Sequence, residues 1–168
     1  MALTGLDHIN LKVRDLERSR RFYQLLGLKE TGHREGMLFF ALGDRHHHHL
    51  ALYEVGPDAP KPARGSVGLG HVGFAVESEG ELSGFRQKLE AAGHSIEATI
   101  DHVVSKSMYL RDPDGNMIEL AYNLPRSQWA KMENPLAEDR PYDVPVKDDV
   151  PVKYDVPIED DVPMEDGC

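Results

Sequence analysis

Residues 101–122, DHVVSKSMYLRDPDGNMIELAY, set an imidazole, a phenol and a carboxylate on one short stretch, at His102, Tyr109 and Glu119. Imidazole and phenol groups can hold or pass protons, and an imidazole with a carboxylate can ligate a metal ion. Outward and inward residues alternate on either side of Asp112-Pro113-Asp114-Gly115-Asn116, so the stretch reads as a two-strand hairpin closed by that turn. The single cysteine, Cys168, is the last residue, which leaves histidine and carboxylate as the available metal donors.

The elements that must position these groups fall into two similar runs. Residues 6–13, LDHINLKV, alternate like a half-buried strand with His8, Asn10 and Lys12 on one face. Asp15 can cap a helix whose Leu16, Phe22, Leu25 and Leu26 share a stripe and which Gly27 stops. Three strand-like runs follow: LKETGHR, GMLFFALG and HHHHLALYEV. At Leu69 the same order begins again with LGHVGFAV, where His71 takes the place of His8, Phe85 that of Phe22 and Gln87 that of Gln24. The second helix ends before Gly93, and SIEATID, SKSMYLR and MIELAYN complete the run. The fold class expected is α+β, with two tandem β-α-β-β-β modules over about 4–55 and 67–123. Each half has an apolar face it cannot bury alone, so the two should join as one open barrel with a cavity inside.

The net charge of −10 lies mostly beyond residue 135, where eleven Asp or Glu stand against three Lys or Arg. The nearly neutral body lacks the basic face that phosphate backbones require, so no nucleic-acid partner is expected. No apolar run approaches the roughly 20 residues that span a bilayer, and the start MALTGLDHINLKVRD lacks the apolar core of a secretion signal. A cytoplasmic protein without a membrane partner is expected. RSQWAKME should form a short helix with Trp129 laid on the body. Thereafter DVP recurs at Asp143, Asp149, Asp155 and Asp161, a pattern that suits an extended or disordered chain. A domain over 1–134 and an acidic tail over 135–168 are expected, the tail being a solvated spacer or a strap onto a neighbouring subunit. The spacer reading predicts that truncation after about Asn134 leaves the body intact.

The openings GLDHINLKV and GLGHVGFAV, with the closing DPDGNMIEL, resemble the vicinal oxygen chelate superfamily over roughly residues 4–123. That superfamily includes glyoxalase I, fosfomycin-resistance proteins and extradiol dioxygenases. The resemblance implies a metal held inside the barrel by His8, His71 and Glu119. Two imidazoles and one carboxylate suit non-haem Fe(II) with oxygen chemistry, and Mn(II) can take the same ligands. A site of the glyoxalase I type carries a further carboxylate near Leu50, which makes glyoxalase activity the lesser reading. GDRHHHHLALYE resembles the extradiol pattern of a His two residues before an aliphatic residue and Ala, which selects His48 as the acid–base group and leaves His46, His47 and His49 as bystanders. DHVVSKSMYLRDPDGN resembles it too and assigns His102 and Tyr109 to hydrogen bonds with catechol oxygens. His33 and His94 receive no role. The activity implied is extradiol cleavage of a catechol with O2 by a homo-oligomer. The alternatives are a fosfomycin thiol transferase or an isomerase on the same scaffold, or a silent protein that sequesters an aromatic drug.

Overall fold

Local signals set the first elements. In the computed structural model, which describes residues 2–63 and 65–145, the Asp15 carboxylate accepts from Arg18 N at 2.9 Å and starts helix α1, Leu16–Leu25. Gly27, at φ +87°, follows its end. Strand β1, Ile9–Val13, precedes α1, and β2 (Lys29–Arg34), β3 (Met37–Ala41) and β4 (Leu50–Glu54) follow it. The second run is β5 (Val72–Val76), α2 (Glu79–Ala91, capped by Ser78), β6 (Ile96–Asp101), β7 (Ser105–Arg111) and β8 (Met117–Asn123). A short helix α3, Arg126–Trp129, and a short strand β9, Arg140–Pro141, come last. In α3 the Trp129 indole N–H donates to Leu124 O at 3.1 Å, laying the ring on the body.

The class is α+β with two mixed sheets, ordered β1-β4-β3-β2 and β5-β8-β7-β6-β9. Among the described residues no strand pairing joins them, so the expected barrel is not closed by backbone hydrogen bonds. The run HHHHLALYEV is strand only from Leu50; the four imidazoles precede it, and Leu42 N donates to His49 Nδ1. Stacking of His46 on His47, with centroids 4.6 Å apart, keeps this segment as a loop of crowded rings. No described helix is long and apolar enough to cross a membrane.

Because side chains alternate across a strand, each sheet sorts its residues by face. Leu11, Leu38 and Leu52 from the first sheet and Met108, Ile118 and Leu120 from the second join residues of both helices in one core. On the other faces Asn10, Lys12, Tyr53, Gly73 and Ala75 are exposed. The halves are also tied by two buried carboxylates of the β7–β8 turn. Asp112 accepts from Tyr23 OH of α1 at 2.9 Å and from the turn amides of Asp114 and Asn116, while Asp114 pairs with Arg18 at 2.5 Å and accepts from Arg14 N. Burial and the Asp112 charge push the Tyr23 phenol well above its ordinary range, so it stays a donor.

The chain after Asn134 does not leave the body at once. β9 pairs with β6, Tyr142 OH donates to Glu79 at 2.7 Å, and Val144 enters the core at 2 % exposure. The remaining DVP repeats, at Asp149, Asp155 and Asp161, lie outside the described residues. Val144→Ala should therefore lower unfolding stability by about 2 kcal/mol, as the loss of buried methyl groups does. Urea denaturation checks this, and an unchanged midpoint would mean that the segment contributes nothing to the core.

Candidate functional site

The six residues singled out for chemistry fall into two separate groups, one associated with each sheet. On the second sheet, the register runs Ala98, Tyr109, Glu119, Gly73 from strand to strand, so the phenol and the carboxylate are direct cross-strand neighbours. Tyr109 OH donates to Glu119 Oε1 at 2.9 Å. The other oxygen, Oε2, lies 3.0 Å from His71 Nε2, at the entry to β5. His102 Nε2 lies 2.8 Å from Tyr109 OH on the far side. His102 is not on a hairpin strand, as its place in residues 101–122 suggested; it follows the end of β6 in a tight turn.

The first sheet holds His8 and His48. Their rings lie 4.5 Å apart, and His48 also packs edge-on to Phe39. His8 Nδ1 is 2.7 Å from the Asp7 carboxylate, and that hydrogen bond holds Asp7 below its ordinary range. Burial, then His47 and His8, hold the His48 pKa below its usual value, which favours the neutral ring. His8 does not join His71 and Glu119: among the described residues no three His, Cys, Asp or Glu side chains converge where they could hold a metal ion. One chain thus gathers His71, Glu119, Tyr109 and His102, and holds His8 and His48 apart from them.

Three further residues bear on the site. A Cβ at Gly73 would stand 3.3 Å from Glu119 Oε2, so the glycine leaves room for the carboxylate to lie across β5 toward His71. A glycine inside an otherwise apolar strand is a readable sign of such an approach. Asp139, from the segment after α3, lies with Oδ1 2.5 Å from His102 Nδ1; nothing local in the sequence marks it. The register also places Ala51 against Asn10 as Glu119 is placed against Gly73, so the buried Ala51, next to Leu50, is the first sheet's counterpart of Glu119. Neither residue is a carboxylate.

Burial first, then the hydrogen bond and charge of Glu119, push the Tyr109 phenol far above its ordinary range. An unfolded chain ionises such a phenol near pH ~10. The native chain keeps it neutral, so the stability tied to it is fully present below that pH and is lost as pH rises further. Tyr109→Phe should accordingly make the alkaline fall in stability shallower, as read from urea midpoints on either side of the tyrosine range; identical slopes would contradict this electrostatic account.

Residues 5–120 match the family model described as Glyoxalase/Bleomycin resistance protein/Dioxygenase superfamily. The chain is 35% identical over 133 residues to a catechol-2,3-dioxygenase of Bacillus subtilis (strain 168), covering 76% of this chain and 45% of that protein. It is 32% identical over 117 residues to biphenyl-2,3-diol 1,2-dioxygenase 3 of Rhodococcus globerulus, covering 68% of this chain and 61% of the relative. The chain thus spans about half the length of these two relatives. Among solved structures, a lactoylglutathione lyase from Agrobacterium tumefaciens superposes with a TM-score of 0.56 at 26% identity, covering 73% of this chain and 96% of that one.

Proposed function

Since the chain belongs to the glyoxalase/bleomycin resistance protein/dioxygenase superfamily, we propose that it is an extradiol ring-cleaving dioxygenase that uses Fe(II), or Mn(II) in the same ligands, to open a catechol with O2. The observation that carries this reading is the unbroken contact chain from His102 through Tyr109 to Glu119 and His71. Similarity to a catechol dioxygenase and a biphenyldiol dioxygenase supports it.

An imidazole nitrogen and a carboxylate oxygen 3.0 Å apart suit adjacent corners of an octahedral ion, since bonds of about 2.1 Å set such corners about 3 Å apart. His71 and Glu119 therefore fit; His8 is the donor the pair lacks within one chain. Both sheets leave their chemical faces open, and we place His8 and His48 over His71 and Glu119 by way of a second copy of the chain. A homo-oligomer is then a condition of the site. When bound, Fe(II) would supply the passage of electron density between catechol and dioxygen.

The chain's own residues handle protons and orientation. Asp7 accepts from His8 Nδ1–H, which leaves Nε2 as the ligating nitrogen. Tyr109, held neutral, and His102 beside it would hold the substrate's diol oxygens by hydrogen bonds. His48, favoured as the neutral ring, can accept the other proton and later return it. The likeness to a lactoylglutathione lyase favours an isomerase as the second reading; that reaction would consume no O2.

Two experiments test the proposal. His48→Ala should keep its iron and its catechol binding but lose about 10²- to 10⁴-fold in kcat, the usual contribution of an acid–base group. His46→Ala should stay near wild type; equal effects from the two would remove His48 from the mechanism. His8→Ala and Glu119→Ala should each abolish turnover. Refolded together in equal amounts, they should regain about a quarter of wild-type activity, because half of randomly paired dimers carry one intact site. Absence of any recovery would refute a site shared between chains.

A further inference from the structure

Residues 142–145, Tyr-Asp-Val-Pro, lie in a groove that holds them from α2 by Glu79, Ser83 and Arg86 and from the second sheet by Thr99 and Lys106. The Tyr142 hydroxyl donates to Glu79 at 2.7 Å, and the Lys106 ammonium lies 5.0 Å from the centre of its ring. Val144 is buried among the core residues. Three backbone carbonyls are also taken up: Tyr142 O accepts from Thr99 Oγ1, Val144 O from Arg86 at 3.3 Å and Pro145 O from Ser83 Oγ. Asp143 is exposed. Any sequence can offer the carbonyls, so the groove selects through two side chains only, a tyrosine and the valine two residues after it.

The same tetrapeptide returns at residues 154–157. Two other Asp-Val-Pro copies begin at Asp149 and Asp161, but Asp148 and Asp160 stand where the tyrosine should be. A carboxylate there would face Glu79 with like charge and, when ionised, has no proton to donate. Of the three later repeats, residues 154–157 alone carry both side chains that the groove selects. The chain is long enough to bring them in. Docking Tyr154 in place of Tyr142 roughly doubles the stretch that runs from Trp129, and a doubled loop closes only about threefold less readily. The ladder to β6 can be kept: Lys153 and Val152 would stand opposite Ile100 and Asp101, where Pro141 and Arg140 now pair, and Lys153 has the backbone N–H that proline lacks. One contact cannot be kept. Asp139 Oδ1 lies 2.5 Å from His102 Nδ1, and the same shift along the chain puts Pro151 in the place of Asp139. That contact and the shorter loop make residues 142–145 the resident segment.

We propose that the groove between α2 and β6 is a peptide-docking site selective for a tyrosine followed two residues later by a valine, and that residues 154–157 of the same chain are its second ligand, which replaces residues 142–145 when these are released. Exchange withdraws Asp139 from His102, so the repeat that fills the groove decides what stands beside that imidazole. The docking holds whatever reaction the chain catalyses.

The test uses the full-length chain with 13C-labelled valine methyl groups and reads by NMR which valine after α3 touches the core leucines. In the wild type this should be Val144. Val144→Ala keeps Tyr142 on Glu79 and Asp139 on His102, so its first segment stays docked. Val144→Asp puts an unpaired charge in the core and should expel that segment. Val156 should then show the core contacts, keep them in Val144→Asp/Val150→Asp and lose them in Val144→Asp/Val156→Asp. Val144→Gly asks the same question without a buried charge, in case the aspartate variant does not fold. In urea, Val156→Asp alone should match wild type, whereas Val144→Gly/Val156→Asp should unfold at a lower midpoint than Val144→Gly. Absence of Val156 from the core in both Val144 variants, or Val150 found there as often as Val156, would overturn the proposal. Core contacts of Val156 that fade on tenfold dilution would place the segment in another chain's groove and overturn docking within one chain.

Discussion

Two carboxylates in the β7–β8 turn, Asp112 and Asp114, hold this structure in register. Both are buried, and buried carboxylates are costly unless every lone pair finds a donor. Asp112 meets that demand with two backbone amides of its own turn, the Asn116 side chain and the Tyr23 hydroxyl of α1. Asp114 meets it with Arg18, Ser19 and the amide of Arg14. A shift of the hairpin by one residue would orphan these groups and would also move Tyr109 and Glu119 to the core face. The same bonds that fasten the first helix to the second sheet therefore decide which face carries the phenol and the carboxylate.

The pleat does the rest of the sorting. Apolar residues of both sheets share one core with the two helices, which leaves the opposite face of each sheet free for groups that need solvent or a partner. The separation of His8 from His71 follows from this arrangement. Residues at equivalent positions in two similar runs occupy equivalent places on their own sheets, and equivalence says nothing about whether those sheets face one another. In the proposed shared site a second copy would supply the missing face, and the exposed row of Asn10, Lys12 and Tyr53 is open to it.

What was legible in the sequence was local. The Asp15 cap, the stop at Gly27, the Asp-Pro-Asp-Gly-Asn turn and the alternation around it announced α1 and the hairpin that carries Tyr109 and Glu119, because capping and turn chemistry act over a few residues. The repeat between His8 and His71 was also visible as spacing. What could not be read depends on distant chain. Val144 sits in a repeat that looks wholly solvated, yet it packs in the core because β9 brings it there. Asp139 belongs to an acidic excess, and only the ladder to β6 sets it apart from its neighbours. The histidine run looked like the start of a strand, but four adjacent imidazoles cannot alternate cleanly between core and solvent, so the strand begins at Leu50.

We propose that the open face around Glu119 performs oxygen chemistry on an aromatic diol. Isotope incorporation tests it most directly: the full-length protein is loaded with Fe(II) without air, given a 3-substituted catechol, and exposed to oxygen-18 gas before mass spectrometry. The account predicts a yellow ring-opened product that carries both labelled oxygen atoms. Catechol recovered unchanged from protein with iron bound, or a product without the label, would contradict it.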